Sequence, residues 1–518
     1  MLRRRVLLTC LESFLLLAAV FALFPMGNVT YGVVLTVPDQ YPTIQDAIVA
    51  ASAGDTISVS RRAGEAQSIY SEKLIIDKQL TLVGESRETI IIDGTGAGTV
   101  IRIQADSVEI RGFTIRNGGS RYSGIRANGY SYLTLADNIV EANKYGISLL
   151  YSYYNTIVQN LMIDNGAASI SLSESLGNNI SDNNLSQSAY GVSLSSTNAT
   201  FVVNNTVTDT SYGIYLEASS NDTVDRNTLL TDGVDGIFLH ASHDVIVSKN
   251  MITGSAYGIQ LYNSQAITVL ANNATDNSYG IYLAYSGPSN VVANNTVSGN
   301  DWGVSLYSSS GNTVSGNTLA YNTYGVDPVT NANNNLFHHN NFLGNIEQAV
   351  WNPDCTNVWD NGYPSGGNHW SDYAGTDSNG DGIGDTPYTI DPMNQDRYPL
   401  IHPWFSDIAI IDVEASAPAV YVGGTVNITV TTENQGTLIE TFNVTVKYEN
   451  TTLGILEPIG TQEIIDLAPE RSSTLTFIWN TIDVQPCMNY TILAEASVLP
   501  GETDITDNTY IDGKVQVR

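Results

Sequence analysis

A motif of the form Tyr-Gly-Ile-x-Leu returns along the middle of the chain. Its second position falls at Gly124, Gly146, Ser169, Gly191, Gly213, Gly236, Gly258, Gly280, Gly303 and Gly325, at intervals of 22 or 23 residues throughout. A fixed period of this length is the signature of a solenoid, and it constrains the fold more than any local propensity. One and three residues after this anchor the side chains are apolar, as in Ile147/Leu149, Ile214/Leu216 and Val304/Leu306. That spacing of two means strand. Further apolar columns lie eleven residues on (Ile157, Ile180, Val202, Val224, Val247, Val269, Val314) and sixteen on (Val140, Met162, Val207, Leu229, Ile252, Leu319). Each repeat therefore predicts three short strands, and strands this short bury their apolar faces only by stacking coil on coil. The expected fold is all-β: a parallel β-helix with rungs ~4.8 Å apart. An asparagine column, read as Asn138, Asn160, Asn184, Asn205, Asn227, Asn250, Asn272, Asn295, Asn317 and Asn340, suits stacked amides that donate and accept along the axis.

Upstream, Gln40 to Ala51 carries apolar residues at Ile44, Ala47, Ile48 and Ala51 behind Thr43, a potential N-cap. This predicts a short amphipathic helix covering the open end of the coil, where a bare strand edge would invite aggregation. Strands at 56–60, 74–76, 80–83, 90–92, 100–103 and 108–110 make the first, less regular rungs. The runs "VPDQYPTIQDAIVAASAGDTISV", "LTLVGE", "TIIIDG", "VEIRGFTIRNG" and "NTVSGNTLAYNTYGV" resemble the NosD-type right-handed β-helix proteins of the pectin-lyase-like superfamily. The resemblance spans roughly residues 35–400. It implies either a periplasmic role in copper delivery or the binding or cleavage of polysaccharide.

Lys and Arg number 21 against 52 Asp and Glu, a formal charge of −31, which excludes nucleic acid as a partner because phosphates need clustered cations. Charged residues are nonetheless only 14% of the chain, so the surface is built from Asn, Ser, Thr, Gly and Tyr. Three cysteines, Cys10, Cys355 and Cys487, offer neither a disulfide framework nor a metal knuckle. At the N-terminus Arg3, Arg4 and Arg5 precede an apolar run from Ser13 to Phe24, so residues 1–32 read as a signal peptide or a signal anchor. The bulk of the protein is then expected outside the cytoplasm, at the cell surface or secreted.

The β-helix is assigned to residues 33–350 and a C-terminal cap to 351–405. Within the cap, Asp377, Asn379, Asp381 and Asp385 fall at positions 1, 3, 5 and 9 of a Gly-rich loop, with the Ile383 carbonyl at position 7. This is a spacing that wraps calcium in oxygen ligands. Tyr388 stands where an EF-hand carries its bidentate glutamate, so completion by Asp391, Asp396 or water is expected instead. A Gly-rich turn without metal is the plain alternative. Residues 406–518 alternate apolar and polar between turn signals, as in an immunoglobulin-like β-sandwich. "ENQGT", "LAPERSSTLTFIWNT" and "GETDITDN" there resemble the CARDB adhesion-related domain, which implies contact with other surface proteins and no chemistry. Of the N-x-[ST] sequons, Asn427, Asn443, Asn450 and Asn489 on the sandwich are the better glycosylation candidates, because others coincide with the asparagine column.

Two and four residues after the anchor lie Tyr215, Phe238, Tyr262, Tyr282 and Tyr307, with Glu217 and His240 among them. Rings along a groove suit the apolar faces of sugars, and they are also ordinary occupants of exposed strands. Just before the anchor, seven of ten repeats carry an aromatic residue, a ladder read as packing. Asp232 and Asp235 are close in sequence, but paired acids need a set separation to cleave glycosides. "YGVDPVTN", from Tyr324 to Asn331, resembles the YG-DPH motif of alginate epimerases, with Val329 in place of the histidine and Asp327 thus unpaired. His240, His243, His338, His339, His369 and His402 lie apart from any Met or Cys cluster, so copper is not expected. The sequence predicts an exported β-helix that is non-catalytic, structural or adhesive, or binds polysaccharide. A polysaccharide lyase, hydrolase or epimerase is the first alternative, and a copper-handling protein the second.

Overall fold

In the computed structural model, residues 32–231, 233–437, 439–450, 455–499, 502 and 504–518 are described. The expected signal segment and Asp232 lie outside them. The middle of the chain is a parallel β-helix. One face is a 14-stranded parallel sheet running from Val34–Val37 to Leu336–His338. The remaining strands form the other faces, and in several rungs a single strand such as Asn184–Ser195 or Thr206–Glu217 continues round the corner between them.

Register follows the repeat. Ile157, Ile180, Val202, Val224 and Val247 pair in succession along one face. All five are fully buried, so each rung seals its neighbour's apolar face. The Gly at the anchor is required by close approach of successive rungs: a Cβ on Gly213 would collide with the Gly236 carbonyl oxygen and a Leu229 methyl.

Corners need a left-handed residue, and Asn204, Arg226, Lys249 and Ala271 adopt φ between 53 and 55° there. Each is followed by a ladder asparagine that neutralises the turn's polar groups. Asn205 donates through Nδ2 to the carbonyls of Val203 (3.1 Å) and Ile180 (2.9 Å) and to Asn227 Oδ1 (3.0 Å). Its own N–H also donates to Asn227 Oδ1, at 2.9 Å. One correction applies to the column: the ladder residue in the third rung is Asn183, whereas Asn184 is exposed and opens the next strand. Two further ladders escaped the sequence reading. One begins Asn155–Asn178 and is resumed by Asn290, Asn312, Asn335 and Asn357. Another joins Asn277, Asn300, Asn322 and Asn345.

Upstream, the helix spans Ile44–Ala50, and Thr43 Oγ1 accepts the Asp46 N–H at 3.1 Å. Ile44, Ala47 and Ile48 are buried, and the Glu72 carboxylate accepts the Ile44 and Gln45 N–H groups. At the other end the valine and leucine columns give way to Phe337 and Phe342. These rings stack on Trp359 (4.4 Å) and Trp370 (4.2 Å), and Trp370 stacks on Tyr388 (4.2 Å), so large rings close the core. Asp396, fully buried, accepts the Trp370 Nε1–H at 2.9 Å.

Beyond residue 407, one sheet contains Ile408–Ala415, Thr425–Asn434 and Ser472–Asn480. A five-stranded sheet contains Ala419–Val420, Thr509–Val517, Met488–Ala496, Glu440–Asn450 and Ile455–Leu467, in that order. Side chains of both sheets, among them Val430, Phe477, Val446 and Ile492, share one core separate from that of the β-helix.

Candidate functional site

The anchor strands project rings outward at three columns, and parallel pairing sets ring against ring in several of the rungs. Just before the anchor, Tyr190 stacks on Tyr212 at 4.9 Å, Tyr257 on Tyr279 at 5.0 Å, and Tyr279 on Trp302 at 4.5 Å. Stacked rings cover each other's faces, so this column presents edges and hydroxyls. Tyr215 and Phe238 lean against it with interplanar angles of 44° and 24°, and against each other at 5.3 Å. Tyr282 fills the equivalent place beside Tyr257 and Tyr279. Burial first, then Glu217 for Tyr215 and neighbouring tyrosines for both, pushes the Tyr215 and Tyr282 phenols up to about 12. Both remain hydroxyl donors at neutral pH.

The third column differs. His240 meets Tyr262 at 5.5 Å and 63°, Tyr262 meets Tyr285 at 5.5 Å and 72°, and Tyr285 meets Tyr307 at 5.3 Å and 82°. Edge-on contacts leave ring faces uncovered, and Tyr262 and Tyr285 are 38% and 50% exposed. Tyr285 also lines an open cleft of about 410 Å³ with Ser286, Gly287, Pro288, Ser308, Ser310, Gly311 and Asn334. The five rings singled out in the sequence thus share one outer face, and Tyr285 is the member that was missed. It occupies a left-handed corner (φ 51°) one residue past the strand. The same corner holds Ser196, Ala218, Ala241 and Asn263 in other rungs and a second bulky ring, Tyr151, nearer the N-terminus.

Acidic groups punctuate this face. Asp235 takes the place of a ring between Tyr212 and Tyr257 in the ladder. It is 1% exposed, its Oδ1 has no partner, and burial pushes its carboxyl up to about 7. The half-buried Asp327 is raised to about 6 by burial and by Glu347. Glu217 Oε1 and His240 Nδ1 lie 3.8 Å apart.

The Gly-rich loop satisfies its own acids. Asp377 accepts the Gly380, Asp381 and Gly382 N–H groups at 2.7, 3.3 and 2.8 Å. Asp385 accepts Ser378 N–H and Oγ–H at 3.0 and 2.7 Å, which hold its carboxyl below the usual range. Asn379 donates to Asp381 at 2.9 Å, and Ile383 is buried and bridged to Leu400. Asp391 and Asp396, the expected supplements, are occupied instead by Met393, Asn394, Asn368 and Trp370. Asn427, Asn443 and Asn489 sit at exposed positions of the C-terminal strands. The side chain of Asn450 lies outside the described set.

Fold and surface together define a parallel β-helix with an aromatic outer face. Residues 49–233 and 226–375 match the family model described as periplasmic copper-binding protein (NosD). These stretches cover more than half of the 518 residues, and the chain belongs to that family. No curated protein matches it. Among solved structures, the A-module of mannuronan C-5 epimerase AlgE6 from Azotobacter vinelandii is 18% identical, with a TM-score of 0.43 over 61% of this chain and 92% of that one. A Dettilon tailspike protein is 12% identical, with a TM-score of 0.40 over 86% and 94%. A CARDB domain from Pyrococcus furiosus is 22% identical, with a TM-score of 0.18 over 22% and 90%.

The family description names copper, and three of the histidines are already engaged with other groups. His338 and His339 meet at 3.0 Å through Nδ1, but His339 Nε2 is bonded to the Ser365 carbonyl at 2.8 Å. His369 Nδ1 is likewise bonded to the Leu400 carbonyl. Among the described residues no three His, Cys, Asp or Glu side chains are grouped to hold a metal. No described helix is long and apolar enough to cross a membrane.

Proposed function

We propose that this NosD-family β-helix is an exported protein that binds polysaccharide non-catalytically along its aromatic face. The observation that carries the reading is the part of the third ring column made by Tyr262, Tyr285 and Tyr307, whose edge-on contacts leave ring faces open beside a cleft. Pyranose rings present apolar C–H faces that stack on such surfaces, while the Tyr215 and Tyr282 hydroxyls offer donors to sugar oxygens. Rungs repeat at ~4.8 Å, close to half the rise of a pyranose pair, so an extended chain laid along the axis meets rings at regular steps. Calcium held by Asp377, Asn379, Asp381, Ile383 and Asp385, glycans on Asn427, Asn443, Asn450 and Asn489, and surface-protein contacts through the C-terminal sheets belong to the same reading. The test is a glycan array of neutral and uronic polysaccharides probed with the parent and with Tyr262→Ala/Tyr285→Ala. Binding by the parent and its loss in the variant support the proposal; no binding to any glycan by the parent refutes it.

One observation favours a second reading. Glu217 and His240 place a carboxylate and an imidazole side by side within the ring columns, an arrangement suited to proton transfer on a bound sugar. Turnover of an array-positive polysaccharide by the parent, lost in His240→Gln, would establish an enzyme.

A further inference from the structure

A group of acids without a basic partner among the described residues lies outside the β-helix, at one end of the C-terminal sheets. Asp407, Glu502, Asp504 and Asp507 come together there, with Glu440 close by. Glu502 ties the group: its Oε1 accepts the Ile408 N–H at 2.9 Å, and its Oε2 accepts the Leu499 N–H at 2.7 Å and the Asn508 Nδ2–H at 3.0 Å. Its carboxylate thus bridges the residue after Asp407 and the residue after Asp507. The Ile410 N–H donates to the Asp507 carbonyl at 2.8 Å, which fastens the same two segments together.

What distinguishes this cluster from a solvated acidic patch is a set of buried oxygens with nothing to bond. Asp407 Oδ1, Asp507 Oδ1, Asn508 Oδ1 and Glu440 Oε1 are all buried and lack a partner. Asn508 is only 3% exposed and Glu440 only 8%. The Asn508 oxygen belongs to the amide whose nitrogen is fixed on Glu502, so it lies within one amide group of the acids. Among the described residues, none of these five carboxylates forms an ion pair with Lys, Arg or His. Burial, then Asp507, Glu502 and Asp504, push the Asp407 carboxyl up to about 6, as expected where like charges face one another. Unpaired buried oxygens of one sign are costly unless a counter-charge satisfies them.

We propose that the open oxygens of Asp407, Asp507 and Asn508 bind a hard divalent cation of the calcium class, with Glu502 as the residue that positions them. Two carboxylates and an amide oxygen, completed by water, make a donor set suited to calcium and unsuited to soft metals. The site is separate from the Gly-rich loop at 377–385 and does not depend on it.

The test uses the full chain with the loop disabled by Asp377→Asn/Asp381→Asn, stripped with chelator and titrated with calcium chloride by calorimetry. This parent should bind calcium and melt higher in its presence. Adding Asp407→Asn/Asp507→Asn should weaken the remaining affinity by at least about tenfold and abolish the melting shift. In chelator, this variant should melt no lower than its parent, because the substitution removes repulsion without changing shape. Absence of calcium binding in the loop-disabled protein, undiminished binding after Asp407→Asn/Asp507→Asn, or a lower melting temperature of that variant in chelator would each overturn the site.

Discussion

The β-helix and the C-terminal sheets solve the same problem, buried polar groups, in opposite ways. Along the ladders of the β-helix a buried amide is satisfied by a copy of itself one rung away, as Asn205 is by Asn227 and Asn227 by Asn250. No charge is needed, which is why so long a stretch carries so few. In the C-terminal part there is no next copy, and Asp407, Asp507 and Asn508 end as buried oxygens without partners. Repetition makes polar burial self-sufficient, whereas a single-copy domain must find a partner of another kind.

The largest effect should come from breaking a ladder. Asn205→Ala leaves the Asn183 N–H, the Ile180 carbonyl and part of Asn227 unsatisfied, at a cost of about 4 kcal/mol. Denaturant unfolding should register it as a lower midpoint, and an unchanged midpoint would show that the ladder carries no load. Next is Gly213→Ala, where the new methyl collides with the neighbouring rung; roughly 3 kcal/mol of overpacking is expected in the same assay.

Asp235 is a β-helix residue that breaks the rule of self-sufficiency, as its unpartnered Oδ1 shows, and its effect depends on pH. Its folded carboxyl titrates at about 7 instead of 3.8, so between those values the folded state holds a proton that the unfolded state has lost. Its contribution is therefore most favourable below about pH 4, and stability falls as pH rises through about 7. Asp235→Asn removes that decline and should stabilise the protein at pH 8 by roughly 2 kcal/mol, allowing for an amide that is itself incompletely bonded. Melting curves across pH 4–8 whose slopes match in parent and variant would count against the assignment. The smallest effect belongs to an exposed residue of the other region: Asn427→Ala should change stability by no more than about 0.5 kcal/mol.

The β-helix was legible because its period fixes the register, so the columns at Ile157, Ile180 and Val202 could be placed without coordinates. The third rung misled the asparagine count because its anchor is Ser169 and two asparagines, Asn183 and Asn184, compete for one place. The ring face was legible as columns, but which rings stack and which stand edge-on depends on the corners, and so Tyr285 was overlooked. The acids around Asp407 were invisible to sequence spacing, since almost one hundred residues separate Asp407 from Asp507 and only the meeting of two different sheets, fastened by the Ile410–Asp507 hydrogen bond, brings them together.

The central claim is that the open ring column holds polysaccharide. The measurement that tests it most directly is calorimetric titration of an array-positive polysaccharide into the parent, Tyr262→Ala/Tyr285→Ala, and a control, Tyr321→Ala. Tyr321 is 76% exposed and has no part in the ring columns. The account predicts that the ring variant loses at least about tenfold in affinity, that is about 1.4 kcal/mol or more for two stacking rings, while the control matches the parent. Equal affinity in all three proteins would contradict it.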